Sequence, residues 1–188
     1  MSVLAPDPLT RPVFGWLAIF VAGYAALHSL YFLIPDAVLR DVFHHHAIVQ
    51  PAAQVIAWWW PEDGVVGRQG SLQSPLATLE IVRGCDGAGL LFLMCAAVLA
   101  CPARPRQLLL GLAGAIVLAG SINQGRIVGL YFVAARHPQW FDPLHNYLLP
   151  LLTILLCFWA FLAWSGWAAR AQPRASRAAL HGGSGAAE

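Results

Sequence analysis

Between Leu108 and Ala135 the chain reads LLLGLAGAIVLAGSINQGRIVGLYFVAA, 28 residues in which Arg126 is the only charge. As a helix this run extends about 42 Å at 1.5 Å per residue, more than the roughly 30 Å of a bilayer's hydrocarbon core. The rest of the chain fits that solvent. Of 188 residues, 59% are hydrophobic and 11% are charged, whereas a soluble domain carries about 25% charged residues. The sequence therefore reads as an integral membrane protein. A net charge of +2, with arginine as the only basic side chain besides histidine, gives no basic stripe for a nucleic acid.

Four apolar stretches are candidate spans: Val13–Ile34, Cys85–Cys101, Leu108–Ala135 and Tyr147–Trp167. The fold expected is an all-α polytopic bundle of four transmembrane helices, with an outer interfacial helix in the segment after the first span. The first span is too long for a typical signal peptide and lacks its small-residue cleavage site, so it reads as a retained anchor. Arginines cluster in the short flanks, at Arg11, at Arg104 and Arg106, and at Arg170, Arg174 and Arg177. By the positive-inside rule these flanks are cytoplasmic, which places both termini inside. A single membrane domain is expected over residues 1–171, and the Gly/Ala/Ser/Arg-rich tail 172–188 reads as a disordered cytoplasmic extension.

The outer segment holds AVLRDVFHHHAIVQPAAQVIAWWW and then the turn-rich PEDGVVGRQGSLQSP. Trp58, Trp59 and Trp60 suit a headgroup boundary. His44, His45 and His46 are adjacent, so on a helix they point apart. They have no companion ligand cluster, and read as a solvated or interfacial stretch rather than a metal site. Glu80 and Arg83, three residues apart, are candidates to pair with each other.

Chemistry concentrates in LEIVRGCDGAGLLF, from Leu79 to Phe92. Cys95, Cys101 and Cys157 lie in apolar runs, where a thiol acts as a small hydrophobe. Cys85 alone belongs to the outer side, so a structural disulfide has no partner there. From Asp86 to Cys101 is 16 residues, about 24 Å of helix, which puts Cys85 at the outer interface. Arg126 lies toward the outer end of its overlong span, with Asn123 one turn away, and His145 opens the last span. Topology thus brings Cys85, Arg126 and His145 to one depth. A thiolate near a helix N-terminus and a cation is a nucleophile, a guanidinium stabilises an oxyanion, and an imidazole moves protons near neutral pH. Asp142 is a candidate to orient His145, while Asp86 and Asp142 are candidate ion-pair partners of Arg126. Neither a cofactor nor a metal is called for.

RGCDGAG entering a helix, NQGRI late in the next span and FDPLH before the last resemble, in order and spacing, the exosortase/archaeosortase family of polytopic membrane transpeptidases. The resemblance covers about Leu79 to Pro150, and the family's proposed Cys, Arg and His fall on Cys85, Arg126 and His145. It implies a bacterial inner-membrane enzyme working at the outer face. Its substrates would be exported proteins ending in a short PEP-like motif, one transmembrane helix and a basic cluster. A thioester on Cys85 would then pass to an acceptor nucleophile that the sequence does not identify. Many relatives have more spans, so the chain resembles the short, core-only members.

Two other classes compete. A non-catalytic assembly or scaffold subunit would use the same polar residues for packing, and would tolerate Cys85→Ser. A thiol-redox membrane protein needs an outer cysteine pair, where only Cys85 is found.

Overall fold

The computed structural model describes residues 10–170, with side chains from residue 14 onward. The architecture is predominantly helical. Helix α1 is Thr10–Phe32. Helix α2 occupies 36–59, beginning with Asp36–Val38, continuing as a π-helix over Leu39–Val49 and ending as an α-helix over Gln50–Trp59. Helix α3 is Ala88–Ala100 and α4 is Pro105–Arg136. Helix α5, Pro138–Arg170, includes a second π-helical stretch at Leu144–Leu148.

Three helices are long and apolar enough to cross a membrane: Phe14–Phe32 within α1, α4 and α5. The second expected span is shorter than the others, because α3 has 13 residues and covers about 20 Å. Its ends are set by local chemistry. Gly87, at φ +82°, cannot continue the helix backward, and Cys101, before Pro102, is extended at ψ 131°. The last helix starts at Pro138 rather than at Tyr147, so it carries His145 within it.

The segment between α2 and α3 contains a small β-meander that the turn-rich composition did not announce. Strands β1 (Val66–Arg68), β2 (Ser71–Gln73) and β3 (Thr78–Glu80) form an antiparallel sheet in that order, with Gly67 opposite Leu72 and Leu72 opposite Leu79. Gln69 and Gly70 both have positive φ, the conformation that a two-residue hairpin turn requires.

Two clusters hold the chain together. Val49, Ile56, Leu72, Ile81, Ile127 and Tyr131 join α2, the meander and the C-terminal half of α4. Met94, Ala115 and Cys157 join α3, α4 and α5. Small residues allow the helices to approach: a Cβ on Gly23 would sit 3.7 Å from Ala96 Cβ, and the Trp164 ring lies against Gly111.

The π-helical part of α2 decides what faces inward. Leu39, His44 and Val49 are its buried residues, spaced by five, the spacing of the i→i+5 hydrogen bond. Pro51, just beyond, has no N–H to give the carbonyl four residues back. The Gln124 amide of α4 serves that carbonyl instead, donating to Ala47 O at 3.0 Å and to Ile48 O at 3.2 Å.

Candidate active site

The loop 82–87 is the centre of the site. The Cys85 N–H donates to Val82 O at 3.0 Å, closing a turn, and Gly84 (φ +92°) and Gly87 (φ +82°) flank it in left-handed conformations that glycine alone adopts freely. Gly87 is also needed for space, since an added Cβ would stand 2.8 Å from Asn123 Cγ. The half-buried Cys85 thiol is thereby presented just ahead of α3.

Across 60 residues of sequence, His145 meets it: Cys85 Sγ lies 3.6 Å from His145 Nε2. The imidazole is stacked on Phe141, with ring centroids 5.3 Å apart and planes 9° apart, which fixes its plane. Its Nδ1 is buried without a hydrogen-bond partner. Asp142 is exposed and makes no hydrogen bond to His145, although it and Arg126 are the charges that reach the imidazole. Arg126 Nε is likewise buried without a partner among the described residues, and Arg126 forms no ion pair there with Asp86 or Asp142. The guanidinium Nε therefore keeps donor capacity for a ligand, and the Arg126 charge reaches the imidazole that contacts the thiol. Among the described residues no third His, Cys or carboxylate completes a metal-ligating group with Cys85 and His145.

The other sequence candidates have structural partners. Asp86 is buried, with its carboxylate engaged by the Tyr31 hydroxyl, His44 Nε2 at 3.0 Å and the Ala88 N–H at 3.1 Å. Asn123 donates through Nδ2 to Asp86 O at 2.9 Å, leaving its buried Oδ1 unpartnered. Arg83 turns away from both Glu80 and the thiol. It donates to Tyr31 O and Ile34 O, each at 2.7 Å, binds Asp36 Oδ1 at 2.7 Å, and lies over the Tyr31 ring. It closes the C-terminal end of α1, where the last carbonyls lack helical partners, and Arg126 is the cation whose charge reaches His145.

His44 is the residue that sequence reasoning missed. It is 3% exposed, not solvated, with Nδ1 3.1 Å from Ile81 O. The other two histidines point elsewhere, His45 packing edge-on to His46. Behind the loop, a cavity of about 410 Å³ is lined by Tyr31, Phe43, His44, Asp86, Phe92 and Ile116 among others. Comparison with family models, curated proteins and solved structures finds no match.

Proposed function

We propose that the chain is a membrane cysteine transpeptidase or protease acting on exported proteins that carry a C-terminal sorting signal. The observation that carries this reading is the 3.6 Å approach of Cys85 Sγ to His145 Nε2, with Arg126 Nε buried and unpartnered. In this reading the resemblance of RGCDGAG, NQGRI and FDPLH to exosortases supplies the substrate class, and the side-chain geometry supplies the chemistry.

His145 Nε2 accepts the Cys85 proton, and the thiolate adds to the scissile carbonyl. The negative charge that forms on the carbonyl oxygen is met by the Arg126 donors, in a site with little water to compete. As the C–N bond breaks, the imidazolium returns its proton to the departing amine, leaving a thioester on Cys85. An acceptor nucleophile, deprotonated by His145, then takes the acyl group and restores the thiol. The nucleophile, cation and proton carrier come from the α3 entry loop, α4 and α5, so the bundle must be assembled before the site exists.

Trapping the acyl-enzyme tests this. Detergent-solubilised wild type and Cys85→Ala are incubated with an exported protein ending in a PEP-like motif, one apolar helix and an arginine cluster. Intact mass is expected to show a hydroxylamine-sensitive adduct on wild type alone. Normal processing by Cys85→Ala would remove Cys85 from the chemistry.

A further inference from the structure

The carboxylate next to the thiol sits at a junction of four helices. Tyr31 of α1 and the first N–H of α3 donate to Asp86, His44 Nε2 of α2 meets its carboxyl oxygen at 3.0 Å, and Asn123 of α4 donates to its carbonyl. Asp86 is therefore fixed at both side chain and backbone, and Cys85 is the residue bonded to it. Holding one holds the other.

Counting hydrogens in this cluster places one proton between the His44 ring and the Asp86 carboxyl group. The Ile81 carbonyl can only accept, so His44 Nδ1, at 3.1 Å, carries a hydrogen. A neutral imidazole has one N–H, which would leave a bare Nε2 lone pair 3.0 Å from Asp86 Oδ2, itself an acceptor. Two acceptors at that distance repel unless a proton lies between them. Tyr31 and Ala88 also donate to the Asp86 carboxyl oxygens, which favours the carboxylate and puts the shared proton on the imidazole. His44 and Asp86 are 3% and 8% exposed, so water does not compete for this hydrogen bond. The other charged side chains around the pocket that His44 lines are Asp36, Arg40, Glu80 and Arg83, of which Arg83 lies over the Tyr31 ring and pairs with Asp36.

We propose that His44 is a positioning residue for Cys85, held as an imidazolium that bridges Ile81 O and the Asp86 carboxylate. The assignment of Cys85 as the moving part of a catalytic site rests on the function proposed above; the proton on His44 Nε2 does not. Without that donor the Asp86 carboxylate loses its link to α2, and the loop that aims Sγ at His145 is released on one side.

His44→Gln and His44→Leu separate this role from mere packing. Glutamine still offers a donor toward Asp86, whereas leucine fills space without one. In full-length protein in detergent, the rate at which iodoacetamide labels Cys85 is followed by peptide mass spectrometry, alongside kcat and KM for the anchored substrate. The leucine variant is expected to shift the labelling rate and lower kcat by about 10- to 100-fold, the size of one hydrogen bond to a charged group, with KM near wild type. Glutamine is expected to restore most of both. If the two folded variants behave alike, or neither moves the Cys85 rate, the proposal is overturned. Should leucine fail to fold, the ¹⁵N spectrum of the wild-type histidines decides. Two protonated ring nitrogens on a signal lost in His44→Gln are expected at neutral pH, and a bare Nε2 there would overturn the proposal. A Cys85 rate that responds to His44 in a protein that processes no anchored substrate would support the positioning role and sink the transpeptidase reading.

Discussion

Arg136 reaches back from the last turn of α4 to hold Asp63 with two hydrogen bonds, at 2.8 and 3.0 Å. The Asp63 side chain is 2% exposed, and Tyr131 OH, 3.0 Å from Ser74 Oγ, is its second neighbour. The meander thus depends on α4 for its polar closure. Asp63→Ala is expected to cost about 1–3 kcal/mol, because it removes two hydrogen bonds from the charged Arg136, while Tyr131 OH keeps Ser74 Oγ. Thermal unfolding in detergent reads the loss, and limited proteolysis should cut first between residues 61 and 80.

Arg83 and Asp36 should respond unequally. Arg83 serves the Tyr31 carbonyl of α1 and the Ile34 carbonyl just past its end, as well as Asp36, whose side chain is 90% exposed. Asp36→Asn removes only an exposed ion pair and is expected to cost under about 1 kcal/mol. Arg83→Met uncovers the helix end and is expected to cost about 2 kcal/mol. Equal shifts in melting temperature would contradict this division.

Two glycines of α4 predict opposite signs. At Gly111 a Cβ would stand 2.6 Å from Trp164 Cε2, within a ring packed between helices, whereas at Gly114 nothing lies within 4 Å. Gly111→Ala should destabilise by about 1–3 kcal/mol through overpacking. Gly114→Ala should stabilise by about 0.5–1 kcal/mol, since alanine is the better helix former. Melting curves of the two variants make the comparison.

Within the proposed site, chemistry and fold can be separated. His145→Gln is expected to reduce turnover by about 10²- to 10⁴-fold, the range of a lost general acid–base group, with little change in stability because His145 Nδ1 holds no partner. Arg126→Met should lower turnover without unfolding the chain, as no ion pair depends on it among the described residues. Turnover measured beside melting temperature would show which of these expectations fails.

Hydropathy made the membrane character and most helix positions legible, because a span is a long, one-signed pattern. Span positions led to the expectation that Cys85, Arg126 and His145 share one depth; the structure places Cys85 in contact with His145, with Arg126 among the charges acting on that ring. Tertiary partners were less legible. Arg83 has an acid three residues away in Glu80, yet binds a helix end near residue 34, and no local rule ranks a carbonyl above a carboxylate. His44 was hidden by period. Read at 3.6 residues per turn it has no reason to share a face with Leu39 and Val49, and the π-helix makes that spacing regular. The meander escaped because its three-residue strands are too short to show alternation. The one available signal was the QG pair at its hairpin turn.

The end of α1 bears the Cys85 loop from both sides, Arg83 gripping its carbonyls before the thiol and Asp86 taking the Tyr31 hydroxyl after it. A helix of 13 residues is too short to register against both faces of a bilayer core about 30 Å thick, so α3 has no means of setting its own depth. The depth of the thiol is therefore borrowed from the helices that hold its loop, α1 together with α2 and α4. Lipids that change the thickness of the membrane would tilt or shift those helices, and the Cys85 sulfur would ride up or down with them like a float on its line.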